Sequence, residues 1–289
     1  MSESPGKRLK QIIAAGAEMA PGAFNALAAR MIERAGFRVL YVSGAAISAG
    51  SFAIPDVGLL TLDEMAAQTR AITAAVTIPA IVDVDTGFGE VVNVERTVQI
   101  IEAAGAAAVQ IEDQRLPKRC GHLSGKELVS CQEMTAKIAA AVRARRDADF
   151  VVIARTDARG VTGFDDAVAR ARTYRTAGAD MIFPEALESA DEFARFRAAV
   201  DAPLVANMTE FGKSPLLGFD ALAAIGYSLV LFPVTLMRLA MKAVEQGLDE
   251  IRSSGSQKNL LGRMQTRQQL YYILGYADYE RRDQDYFRQ

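Results

Sequence analysis

Short apolar and β-branched runs alternate along this chain with longer segments of helical period. The runs are "AEMAPG", "VLYVSG", "AIVDVD", "AAVQIED", "FVVIARTD", "MIFPEA", "LVANMT" and "LVLFPV". Between them Val94, Val98 and Ile101 recur at i, i+4, i+7, and Met134, Ile138 and Val142 at i, i+4, i+8, the spacing of a helix with one buried face. Eight strand–helix units in 289 residues predict an α/β fold, a (β/α)8 TIM barrel. A doubly wound sheet is the alternative, but the first strand is not followed by GxGxxG. After the last run come a helical pattern from Thr235 to Arg252, a polar turn "SSGSQKN", and two further helical stretches, "LLGRMQTRQQLYYIL" and "DYERRDQDYF". The expected division is a catalytic barrel over 1–252 and a helical extension over 253–289. The Tyr, Leu and Ile of that extension need cover, which favours packing on a neighbouring subunit over packing on the barrel.

Several strands end on polar residues: Ser43, the pair Asp83 and Asp85, Glu112, Arg155 with Asp157, Glu185, and Asn207 with Thr209. In a barrel these ends converge on one face, where active sites sit. Scattered solvent-facing residues would not favour one end of each strand, so an enzyme is expected.

Composition narrows the partners. Lys plus Arg is 33 against 35 for Asp plus Glu, a net charge of -2, which gives neither nucleic acid nor an anionic membrane a reason to bind. Two cysteines and one histidine make neither a disulfide framework nor a zinc set, and point to a reducing, cytoplasmic location. Near the start, "KRLKQIIAAGAEMAPG" has the flavour of an export signal, but its apolar run is short and Glu18 interrupts it. No stretch reaches the roughly 18 uninterrupted apolar residues that a membrane span requires.

The candidate chemistry lies at the strand ends and in one loop. In "IVDVDTGFG" alternate side chains of a strand share a face, so Asp83 and Asp85 are expected to point the same way. Mg²⁺ takes one or two carboxylates and keeps several waters, which suits the pair; an N-cap and a salt bridge are the alternative. Glu112 could orient metal-bound waters or form a salt bridge at the barrel mouth. In "YVSGAAISAG" the Ser43 hydroxyl and nearby N–H groups could cradle a carboxylate, although small residues also merely permit tight packing. Arg155, Arg238 and Arg267 are the cationic candidates for substrate carboxylates, Arg155 foremost because its strand is buried. The loop is "PKRCGHLSGKELV". There Lys118, Arg119 and His122 are expected to crowd positive charge around Cys120, lower its pKa and ready it for proton transfer, while Cys131, at a helix start, is structural. His122 reads either as a surface residue or as a member of the catalytic set.

"KRCGH", "VDVDTGFG", "IEDQ", "NMTEFG" and "MQTR" together resemble the isocitrate lyase/phosphoenolpyruvate mutase superfamily, over nearly the whole chain and most closely its short lyases. The resemblance implies a (β/α)8 barrel with a last helix exchanged between subunits, in a homotetramer built as a dimer of dimers. It also implies Mg²⁺, with Mn²⁺ as a substitute, and a small di- or tricarboxylic acid substrate: cleavage of 2-methylisocitrate to pyruvate and succinate. Residue by residue, Ser43, Gly44 and Ala45 fall on the family's keto-acid loop, Asp83 and Asp85 on its metal carboxylates, and Glu112 on an acid acting through water. Cys120 and Gly121 match its flap. Arg155, Glu185, Asn207, Met208, Thr209, Arg238 and Arg267 match positions lining the substrate. Two positions depart: Ala45, where a glycine is often found, and Gln110, where a histidine is common.

The reaction so implied is a retro-aldol-type cleavage with Cys120 as general acid, Arg155 neutralising carboxylates, and Tyr41 as the candidate base for the substrate hydroxyl. Related enzymes acting on 2,3-dimethylmalate or oxaloacetate, a phosphonate mutase, and a silent barrel that only binds an acid are the competing readings.

Overall fold

The computed structural model describes residues 3–288. All eight expected strands form: β1 (Glu18–Ala23), β2 (Leu40–Val42), β3 (Ala80–Asp83), β4 (Ala108–Glu112), β5 (Val151–Thr156), β6 (Met181–Pro184), β7 (Val205–Asn207) and β8 (Leu229–Phe232). They pair in parallel in the order β6-β5-β4-β3-β2-β1-β8-β7. A single parallel bridge between Ile182 and Leu204 brings the two ends of the sheet together. This nearly closed sheet, ringed by helices, is the (β/α)8 barrel.

The barrel has two cores because strand side chains alternate. Tyr41, Ile81, Ile153, Phe183 and Leu231 fill the interior. Val42, Val82, Val152, Ile182 and Val230 face outward and pack beneath the helices. α5 (Val91–Ala103) buries Val94, Val98 and Ile101 there, and α6 (Cys131–Ala144) buries Met134 and Ile138.

The segment that resembles an export signal has a different task. α1 (Pro5–Ala15) starts on an Ser4 cap and lays Leu9, Ile12 and Ile13 against the interior cluster, among residues that begin strands such as Val39, Ala107 and Val151. It closes the end of the barrel opposite the polar strand ends. Among the described residues no helix is long and apolar enough to cross a membrane.

The chain divides into two compact units between Met237 and Arg238, inside α10 (Thr235–Ser254), whereas the sequence places a boundary after 252. The reason is burial: α10 carries no buried residue. In the second unit, the stretch expected as one helix from Leu260 breaks into a 3-10 turn, Lys258–Arg263, and α11 (Arg267–Leu274). Thr266 causes the break: its side chain accepts from the Gln269 N–H while Gln269 reaches back to it, a reciprocal cap that starts a new helix. Gly275, at φ 71°, ends α11 and opens α12 (Tyr276–Phe287).

Candidate active site

The polar strand ends gather at the mouth as expected, organised by Arg155. Its guanidinium, on β5, lies 3.3 Å from Glu112 on β4, 2.9 Å from Asp157, and 3.1 Å from Glu185 just past β6. The Asn207 amide donates to both Glu185 oxygens, at 3.3 and 3.2 Å. Neighbouring staves thus contribute one linked cluster, and their order around the barrel sets who can meet. Burial alone would raise the Glu185 pKa, but Arg155 and His122 outweigh it and hold the carboxyl well below its usual range. Glu112 goes the other way, burial pushing it well up despite Arg155.

Asp83 and Asp85 also meet, though not as neighbours on one strand face. β3 ends at Asp83, and Asp85 sits in a turn at φ 48°, left-handed geometry that aspartate tolerates better than most residues. Asp83 accepts from the N–H groups of Gly44, at 3.3 Å, and Asp85, at 3.2 Å. A Cβ at residue 44 would fall 2.9 Å from Asp83 Oδ2, so a larger residue there would push that carboxylate aside. Gly44 opens α3 (Gly44–Phe52), and Ser43 caps it by accepting from the Ala46 N–H. The Ser43 oxygen is therefore engaged with the helix, and Ala45 lies in its first turn.

Burial, then the charge of Asp85, pushes Asp83 up to about 6. Asp85 is raised too, mainly by burial, although Lys118 stands 2.8 Å away. Two buried carboxylates kept from full ionisation form a donor set that a divalent cation would relieve. Among the described residues no three His, Cys, Asp or Glu side chains converge in metal-binding geometry. Glu112 is engaged by Arg155 and by the Gln114 amide at 3.0 Å. Two carboxylates with water completing the shell fit Mg²⁺.

The flap corrects the expectation for Cys120. Lys118 is buried and spends its charge on Asp85 and Asp56. Burial pushes the Cys120 thiol up, Glu185 adding to the effect, so the group is held as a thiol and not activated to thiolate. His122 is no surface residue: its Nδ1 accepts from the Lys213 N–H at 2.9 Å, and Nε2 lies 3.0 Å from Glu185. It joins the flap to β6 and to the loop after β7. Gly121 sits directly on the cluster; a Cβ there would lie 2.4 Å from both Arg155 Nη2 and Glu185 Cγ.

Tyr41 is also corrected. Its hydroxyl is buried and donates to Gln110 Oε1 at 2.6 Å; burial, then Asp83, raises its pKa well above the ordinary value. A phenol so placed gives up its proton less readily than a free one, the opposite of what a base at this position needs. The same bond leaves Gln110 Nε2 as a buried donor with no hydrogen-bond partner, at a position where the sequence departs from the resembled family. Met208, just past the end of β7, packs its side chain in the core beneath the helices, on the same side as Ala206 two residues before it. Thr209 is half-buried beside it. Arg238 and Arg267 belong to the second unit, on α10 and at the first position of α11.

Three contributors were missed in the sequence. Gln114 stands within "IEDQ", but nothing local signals that its amide accepts from the Arg119 N–H and donates to the Arg119 carbonyl, tying down the flap's near end. Asp56 acquires its role from a partner 62 residues away, and Lys126 from one 31 residues away together with the Gly121 carbonyl.

A family model described as phosphoenolpyruvate phosphomutase matches residues 9–252. The chain belongs to the PEP mutase/isocitrate lyase superfamily. The 2-methylisocitrate lyase of Aeropyrum pernix is 54% identical over 287 residues, covering 99% of this chain and 92% of that protein. The probable 2-methylisocitrate lyase 2 of Corynebacterium glutamicum is 54% identical over 267 residues, covering 92% and 87%. A crystal structure of 2,3-dimethylmalate lyase, a member of the same superfamily, superposes with a TM-score of 0.93 at 33% identity, covering 99% of this chain and 96% of that one. Within the superfamily this chain is an enzyme of the carbon–carbon lyase branch.

Proposed function

We propose that this superfamily member cleaves 2-methylisocitrate to pyruvate and succinate. The observation that carries the reading is the cysteine-bearing flap: Gly121, next to Cys120, sits against the Arg155–Glu185 pair, and Lys118 of the same loop lies 2.8 Å from the buried Asp85. The names borne by relatives 54% identical over nearly the whole chain favour the same acid.

Asp83 and Asp85 would hold Mg²⁺, which supplies Lewis acidity and a template for the 2-oxo-acid half. Arg155 offsets the carboxylate charge of the departing fragment. A general base takes the proton of the substrate hydroxyl, and the oxygen becomes the pyruvate carbonyl as the C–C bond breaks. The bonding pair moves to the carbon that becomes succinate, and the Cys120 S–H supplies the proton there. The seated flap excludes water that would otherwise compete as proton donor.

The test is an acid panel with Mg²⁺: pyruvate is expected from 2-methylisocitrate, with at most traces of turnover of 2,3-dimethylmalate, oxaloacetate or phosphoenolpyruvate. Oxalate from oxaloacetate, or phosphonate formation, would replace this reading with a hydrolase or a mutase. Exhaustive EDTA treatment is expected to silence pyruvate release and added Mg²⁺ to restore it; full activity after chelation contradicts the carboxylate assignment.

Assembly completes the reading. Met241, Val244, Leu248 and Ile251 run at helical spacing along α10 and are 43–62% exposed. A stripe of this kind needs cover. Exchange of these helices with a second copy, in a homotetramer, supplies it. The two unpaired cysteines suit a reducing cytoplasm.

A further inference from the structure

One buried cation has no part in the chemistry above. The Lys126 side chain is 1% exposed, and its ammonium lies 2.7 Å from an Asp157 carboxylate that is 0% exposed. The same ammonium donates to the backbone carbonyl of Gly121. These partners differ in kind. Gly121 lies so near Arg155 and Glu185 that an added Cβ would fall 2.4 Å from each. Asp157 is the carboxylate that aims Arg155, accepting from its Nε at 2.9 Å and its Nη2 at 3.1 Å.

Asp157 is also where the two ends of the flap converge. Gln114, at the near end, donates to Asp157 at 3.3 Å while its amide holds the backbone of Arg119. Lys126, at the far end, reaches the same Oδ1 atom. An ammonium withdrawn from water is tolerated only when paired and hydrogen-bonded. Lys126 meets that condition only while the Gly121 carbonyl and Asp157 stand in their present places. If the flap lifts, the ammonium returns to water and the tie between flap tip and strand is lost.

We propose that Lys126 is a positioning residue that couples seating of the flap to alignment of Arg155, by bridging the Gly121 carbonyl to the Asp157 carboxylate. The coupling rests on the lyase reading for its kinetic consequence, but its structural part does not depend on the substrate. A buried ion pair that merely stabilised the fold would lower the thermal midpoint and leave the flap and kcat alone.

The test uses the full chain and two variants, Lys126→Met and Lys126→Gln; the second keeps one neutral donor. Trypsin is added to unliganded protein, and cleavage after Arg119 is followed by mass, against cleavage elsewhere as the measure of global opening. Lys126→Met is expected to accelerate the cut after Arg119 at least tenfold relative to other sites. It is also expected to lower kcat at least tenfold on whichever acid the wild type turns over, with a smaller change in KM, and Lys126→Gln should fall between. A cut no faster than in wild type, or kcat within twofold, overturns the proposal; if the methionine variant does not fold, the glutamine variant is judged by the same two readings. A wild type that turns over no acid overturns the lyase reading and the kinetic coupling with it, while the proteolysis still decides whether Lys126 seats the flap.

Discussion

Replacing Cys120 by serine is expected to lower kcat by about two to four orders of magnitude, the usual contribution of a positioned proton donor. The thiol adjoins Gly121, which sits against Arg155 and Glu185, and burial raises its pKa, with Glu185 adding to the effect. Serine keeps the size and the hydrogen-bonding capacity, but its hydroxyl is a far weaker acid, so the carbanion-like fragment meets no donor of matched strength. The flap's other anchors, Lys118, His122 and Lys126, are untouched, so the thermal midpoint and the Mg²⁺-dependent binding of oxalate should change little. In the wild type the sign of the pH dependence follows from the raised thiol: the donor is present at and below the ordinary thiol range and is lost as pH rises through the higher folded value. The alkaline limb of kcat therefore belongs above about 8.5, the ordinary cysteine value, and should vanish in the variant. Unchanged kcat in Cys120→Ser removes the thiol from the reaction.

The second large effect is at Arg155. Arg155→Met strips one guanidinium from Glu112, Asp157 and Glu185 at once, all buried. Breaking a buried pair by removing one partner costs about 3–5 kcal/mol, which for a chain of this size lowers the thermal midpoint by roughly 10 °C. Turnover should be lost as well, because the guanidinium that links Glu112, Asp157 and Glu185 is the fork this reading assigns to the substrate carboxylate. The pH dependence distinguishes this cause from lost packing against the Phe183 ring, whose centroid lies 5.2 Å from the guanidinium. Glu185 is depressed in the wild type, so its stabilising contribution is present above the ordinary glutamate pKa and fades as pH falls through the folded value. In the variant the same carboxyl loses that support, and the stability deficit should be largest at pH ~7 and shrink toward pH ~4 as the carboxylates protonate. A deficit equal at both values, measured by thermal melts, would assign the loss to packing. Arg155→Lys, which keeps a charge without the planar fork, should recover part of the stability and little of the turnover.

The remaining contrast lies between local pattern and distant partners. Apolar alternation and helical spacing are properties of neighbouring residues, so all eight strands, the faces of α5 and α6 and the convergence of Asp83, Glu112, Arg155 and Glu185 at one mouth were determined by the sequence itself. Charge state is not a local property. Lys118 sits two residues from Cys120, yet its field is spent on Asp56 and Asp85, and burial moves the thiol opposite to the direction its neighbours in sequence imply. Tyr41 lies in the middle of β2, faces the interior and is locked as a donor to Gln110. Met208 adjoins Asn207 and still faces the outer core. α1 reads as a short apolar run and becomes the plug of the barrel only because the interior it covers is assembled from eight distant strands. Which residues form strands and helices is decided by spacing along the chain; which proton a side chain keeps is decided by what the closed barrel buries beside it.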